Sequence, residues 1–178
     1  MKERPILFSA PMVRAILDGT KTMTRRIIKP QPTHFNPAGT PRRVVPNGGP
    51  SESICCPYGQ PGDRLWVRET WMDCRNIDGA ISDSMYRATF GNTPEGGQWR
   101  PSIHMPRWAS RILLEITDVR VERAQDISEA DAISEGVQHS TLNDPRVEYR
   151  WLWESINGPD SWAATPWVWV IEFRKIES

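Results

Sequence analysis

No stretch of this 178-residue chain is apolar for long enough to span a bilayer. The segment from Met1 to Phe8 lacks the apolar core and cleavage site of a signal peptide, so a cytoplasmic location and no membrane partner are expected. Cysteine is scarce: Cys55, Cys56 and Cys74 are odd in number, two of them are adjacent, and no C-x-x-C occurs. That argues against a disulfide scaffold and agrees with a reducing compartment. Histidine is equally scarce, at His34, His104 and His139, and none stands at zinc-ligand spacing from a cysteine. No metal and no other cofactor is expected. Net charge is missing too, since the formal charge is zero, so the molecule as a whole is no polycation.

The charges that are present are segregated. From Gly19 to Ser51 there is no acid, while Lys21, Arg25, Arg26, Lys29, Arg42 and Arg43 are all basic. From Glu115 to Glu135 seven carboxylates oppose only Arg120 and Arg123. Two readings are open: a local polyanion site on a neutral body, or two segments that neutralise each other across the fold. Nine tryptophans are unusual at this length, and most are expected in packing, with one or two left to stack on a base.

The densest chemistry is Gly19 to Arg26, where a glycine, a lysine, three threonines and two arginines follow one another. Ser9 to Asp18 reads as a short helix with Ser9 as cap, Pro11 in the first turn, and Met12, Val13 and Ile16 on an apolar face. Gly19 takes the left-handed position past its end. Thr22 to Ile28 is rich in β-branched residues and reads as a strand. Thr24 and Arg26 share a strand face, and Lys21 reaches the same place only from the turn after Gly19. The spacing resembles the G-x-K-x-x-x-x-R signature of ASCH domains, a family of PUA-like β-barrels related to RNA-binding modules. On residues alone, a solvated strand face is the alternative.

Residues 30 to 62 hold eight prolines and five glycines, and read as an insertion over the mouth of the fold, with Arg42 to Val45 as a short edge strand. Pro61-Gly62 suits a type II turn that launches Arg64 to Trp71, with Leu65, Val67 and Glu69 on one face. This Pro-Gly-Asp turn and strand look like a second landmark of the same family, and Glu69 is expected to pair with Arg26. Ser84 to Thr89 reads as a strand. The run from His104 to Ala109 resembles the longer, prophage-associated ASCH proteins; Arg107 and Trp108 join a phosphate-seeking fork to a stacking plane, or alternatively plug the barrel end.

Arg111 to Arg123 is the longest strand, with a bulge expected near Asp118 where the alternation slips. Asp126 to Gly136 reads as a helix with Ser128 and Asp131 as a capping box, Ala132 and Ile133 inward, Glu135 in the last turn and Gly136 as the stop. Asp144-Pro145 opens another helix, whose stripe is Tyr149, Leu152, Trp153 and Ile156. Trp167 to Phe173 is apolar on both faces and reads as a central strand.

The expected fold is therefore α+β: a PUA-like, partly open β-barrel with short helices at its ends, forming a single domain over residues 1–178. The resemblance implies that Lys21, Thr24 and Glu135 match the Lys-Thr-Glu trio of small ASCH hydrolases that cleave N4-acetylcytidine. It implies RNA or a modified nucleoside as partner, with Arg25, Arg26, Lys29, Arg107 and Trp108 as ligand contacts. A non-catalytic RNA-binding module, a ribonuclease, and a phage accessory protein that docks a partner through the Trp-rich 151–169 region are the alternatives.

Overall fold

The computed structural model describes residues 1–45, 49–75, 81–93, 97–137 and 144–176. His139 lies outside them. In chain order the elements are β1 (Glu3–Leu7), α1 (Ala10–Leu17), β2 (Met23–Ile27), β3 (His34–Phe35), β4 (Pro41–Arg43), β5 (Glu52–Ser53), β6 (Arg64–Arg68), β7 (Trp71–Arg75), β8 (Ile81–Tyr86), α2 (Arg87–Phe90), β9 (Leu113–Arg123), α3 (Glu129–Ser134), α4 (Pro145–Asn157) and β10 (Trp167–Ile176). Five strands form the main sheet in the order β1-β6-β9-β10-β2. β1 runs parallel to β6, and the remaining neighbours are antiparallel.

The class is the expected α+β. Backbone pairing does not close the sheet among the described residues, so β1 and β2 are its edges. The two edges nevertheless turn back toward each other, because Arg26 on β2 donates from Nη2 to the Leu7 carbonyl of β1 at 2.7 Å. The result is a partly open barrel with one seam, bridged by a side chain.

β10 is central, between β9 and β2, as its two apolar faces require. Trp169, Ile171 and Phe173 face a first core with Ile6, Val13, Ile16, Leu65 and Leu114. Val168 and Val170 face a second core with Met23, Ala132, Tyr149 and Trp153, under α3 and α4. The slip in β9 is real: Asp118 pairs with Glu172 and Ile116 with Phe173, which leaves Thr117 as an extra residue. Leu114 and Ile116 before it, and Val119 and Val121 after it, therefore meet the same core.

Several local expectations are corrected. The strand expected at Arg42 to Val45 is β4, Pro41–Arg43, and it is not an edge but the middle of a small antiparallel sheet with β3 and β5, strands too short to show alternation. The strand expected at 84–89 ends at Tyr86, and one turn of helix follows that carries Ala88 into the first core. Ser9 stands at the cap of α1 but makes no side-chain cap bond; its backbone carbonyl accepts from the Val13 N–H. On α3, Ala132 is buried but Ile133 is 42% exposed, because this short helix turns Ala132 and Glu135 inward. Ser128 does accept from the Asp131 N–H, and Asp144 from the Arg146 N–H.

Candidate functional site

α1 ends at Gly19, whose φ of 76° takes the left-handed turn expected there. The Thr20 and Lys21 N–H groups both donate to the Ala15 carbonyl, so Lys21 leaves the helix in a fixed direction. It meets the end of α3: Lys21 and Glu135 form an antiparallel bridge, and the Thr22 N–H donates to the Ser134 carbonyl at 2.9 Å. Gly136 makes this approach sterically feasible. Its φ is 79°, and a Cβ there would lie 2.9 Å from the Cβ atoms of both Ala15 and Lys21.

Lys21 and Glu135, 114 positions apart in sequence, are thus a contact pair, each 3% exposed. Lys21 Nζ donates to Glu135 Oε2 at 2.8 Å, to the Glu135 carbonyl at 2.7 Å and to the Met23 carbonyl at 2.7 Å. Three acceptors match the three protons of an ammonium. The position at the carbonyl end of α3 also suits a cation. Burial pushes the amine below its ordinary 10.5; Glu135 pulls it back, and Arg26 and Arg25 add smaller lowering effects.

The other carboxylate oxygen, Glu135 Oε1, faces Arg25 Nη1 at 3.6 Å and the Tyr149 hydroxyl, which donates at 3.5 Å. Arg25 is held by Asp131 at 2.6 Å and Glu122 at 2.9 Å. Burial opposes the Arg25 charge, but Asp131, Glu135 and Glu122 outweigh it and raise its proton affinity. Burial first, then the Glu135 charge, pushes Tyr149 well above 10.0.

Because β2 is an edge strand, side chains from both of its faces reach one cleft. That cleft, about 430 Å³, lies along the seam. Lys21, Thr24, Arg25, Arg26, Glu135 and Tyr149 supply its polar lining with Thr70 and Ser102, and Phe8, Met12, Leu152, Trp153 and Ile156 its apolar lining. Thr24 is buried against the protein, and its hydroxyl has no hydrogen-bond partner among the described residues. Arg26 lies over the Phe8 ring at 5.2 Å, and Lys21 Nζ approaches the same ring at 5.6 Å.

The structure thus brings Lys21, Thr24, Glu135, Arg25 and Arg26 together. It places the other three expected contacts elsewhere. Lys29 is exposed and lines a separate hollow with Tyr58 and Trp169. Arg107 pairs with Glu3 at 2.9 Å, and Trp108 stands edge-on to Trp71 with ring centres 5.6 Å apart. Neither lines the cleft. The expected Arg26–Glu69 pair is overturned: Glu69 is bound by Arg111 at 2.9 and 3.1 Å, and Arg26 goes to Leu7. Arg111 is the nearer arginine because Glu69 leaves β6 on the side where β9 begins. In the 151–169 region, Trp153 and Trp162 pack with Tyr149 and Trp167 packs with Phe35, which leaves Trp151, 57% exposed, as the outward indole.

Sequence reasoning missed Tyr149 and Phe8 as parts of the site, and gave Arg25 to the ligand when its ends are held by carboxylates. Tyr149 carried one signal, a phenol hydroxyl on an otherwise apolar stripe.

No family model and no curated protein matches the chain. A solved structure, the ASCH domain from Lactobacillus crispatus JV V101, is similar at 15% identity with a TM-score of 0.45, over 98% of this chain and 79% of that one.

Proposed function

We propose that the chain is an ASCH-type domain whose seam cleft binds a modified nucleoside or an RNA base, and that it hydrolyses the amide of N4-acylcytidine-like substrates. One observation carries the reading: a buried Lys21–Glu135 pair stands with the Thr24 hydroxyl in a cleft of about 430 Å³. That volume is of the size that small-molecule sites use. The apolar lining suits a planar base, and the polar lining suits its exocyclic groups.

In the reaction, an oxygen nucleophile adds to the acyl carbon and the carbon–nitrogen bond breaks. N4 takes a proton, and cytidine and a carboxylate leave once water has supplied its oxygen. Lys21 Nζ is turned to three protein acceptors, so Thr24 is the group of the trio presented to the substrate. The Thr24 hydroxyl passes its proton to a Lys21 amine in its neutral form, which burial favours, released from one of its three acceptors; the ammonium so formed, paired with Glu135, returns that proton to N4.

The test is direct. Purified protein incubated with N4-acetylcytidine should release cytidine and acetate, and Thr24→Ala and Lys21→Met should each lower the rate by about 100-fold or more. Absence of any product with the parent protein would remove the hydrolase reading.

The same saturated geometry of Lys21 favours one second reading, a non-catalytic base-binding module in which the pair only shapes the cleft. In that case N4-acetylcytidine or short RNA binds without turnover, and Thr24→Ala weakens binding.

A further inference from the structure

We propose that Arg25 is the positioning residue of the cleft: it fixes the Glu135 carboxylate for Lys21 and is itself fixed by Asp131 and Glu122. The proposal rests on the site reading above for its catalytic meaning, and on geometry for the rest. Glu135 has one oxygen on Lys21 and the other facing Arg25 and Tyr149, so its carboxylate plane is defined from both sides. Arg25 stands in the wall of the cleft, but its side chain has no accessible surface, so it acts on a ligand through Glu135 and not by direct contact. Its Nη2 is shared by Asp131 of α3 and Glu122 of β9, and Arg120 ties those two carboxylates together at 3.1 and 2.6 Å. A planar, permanently charged fork held at one end and facing Glu135 at the other is a rigid spacer between β9, α3 and the cleft.

The groups facing the Lys21 amine are Glu135 from the end of α3, Arg25 and Arg26 from β2, the Phe8 ring after β1, and, through Glu135, Tyr149 from α4. Arg25 is therefore one of two fixed positive charges that disfavour a third on Lys21. Removing its charge returns the amine toward ordinary lysine behaviour and leaves the Glu135 carboxylate with one fewer constraint.

The experiment uses the full chain with ¹⁵N-labelled lysine, following by NMR the titration of Lys21 Nζ and the exchange of its buried protons. In Arg25→Gln the midpoint should move up by about half a pH unit, since a nearby like charge has gone. Proton exchange should quicken by about ten-fold, because the pair opens more often. Asp131→Asn keeps the Arg25 charge and loses its shortest ion pair; it should quicken exchange while leaving the midpoint in place. It also carries the test if Arg25→Gln does not fold. A folded Arg25→Gln or Asp131→Asn with parental exchange rates overturns the proposal. Loss of deacylation in both variants, with KM unchanged, adds the catalytic meaning. A parent without any deacylation would remove the hydrolase reading while the NMR result still decides the role of Arg25.

Discussion

Lys21 has three protons and three acceptors, and all of this is buried. Removing one member of such a pair strands the other charge, whereas replacing both by apolar groups is often tolerated. Lys21→Met should therefore cost about 3–5 kcal/mol, and Lys21→Met with Glu135→Leu should recover most of it. Urea unfolding of the two single variants and the double variant checks this; a double variant whose loss equals the sum of the two single losses would mean that the pair makes no net contribution of its own. The pH dependence has a defined sign. Burial, opposed by Glu135, holds the Lys21 amine below 10.5, so between that lowered value and 10.5 the unfolded chain holds the extra proton and stability rises with pH. The difference in unfolding free energy between the parent and Lys21→Met should grow in the parent's favour across that window. A flat difference would contradict the lowering. At this scale the glycine stops at Gly19 and Gly136 were legible in the sequence, whereas the grouping of Lys21, Thr24 and Glu135 was implied by the family resemblance and not by spacing. The sequence was not legible for Arg25, since strand alternation tells which face a side chain takes and not whether a carboxylate from 106 residues away waits there.

The contact between the end of α1 and the end of α3 depends on Gly136. Gly136→Ala imposes a left-handed φ on a residue with a Cβ and drives that Cβ to 2.9 Å from two others. A loss of about 3 kcal/mol is expected from strain and overpacking together. The Lys21–Glu135 bridge should loosen with it, which thermal unfolding and the Lys21 amide shift would report. An alanine variant as stable as the parent would show that the two ends are free to move apart. The helix stops, β10 at the sheet centre and the slip in β9 could all be read from alternation and turn residues. Within 30–62 only the strand at Arg42-Arg43 could, because two- or three-residue strands such as β3 and β5 have no period. Nor could the helical turn after β8, where burial of Ala88 overrides a strand-like local sequence.

Across the molecule, the basic and acidic segments seen in the sequence meet at Arg25, whose partners Glu122, Asp131 and Glu135 all come from the acidic stretch. Mutual neutralisation therefore accounts for much of the segregation. In the basic segment Arg43 is likewise paired, with Glu52, which leaves Arg26, Lys29 and Arg42 without an ion pair among the described residues, two or three cations to hold phosphates. Binding of short single-stranded RNA should then be weakly salt-dependent, with a log–log slope of about one to two in magnitude. Titrations at several salt concentrations check this. A slope near that of a protein gripping many phosphates would mean that the surface rearranges around the strand. The segregation itself was legible in the sequence; the choice between a polyanion site and internal pairing required knowing which strands are neighbours.

The bulge at Thr117 has a consequence for how the chain tolerates changes in length. Thr117 is exposed and unpaired in register, and the residues on either side already alternate correctly without it. Deleting it would join Ile116 to Asp118 in an unbroken pleat, with Val119 and Val121 still inward and Glu122 still facing Arg25. A one-residue deletion in β2 would instead exchange Thr24 and Arg26 with Arg25 across the sheet. The same edit that is fatal in one strand is thus an expected neutral step in another, and the barrel has a place where it can be shortened without being rewired.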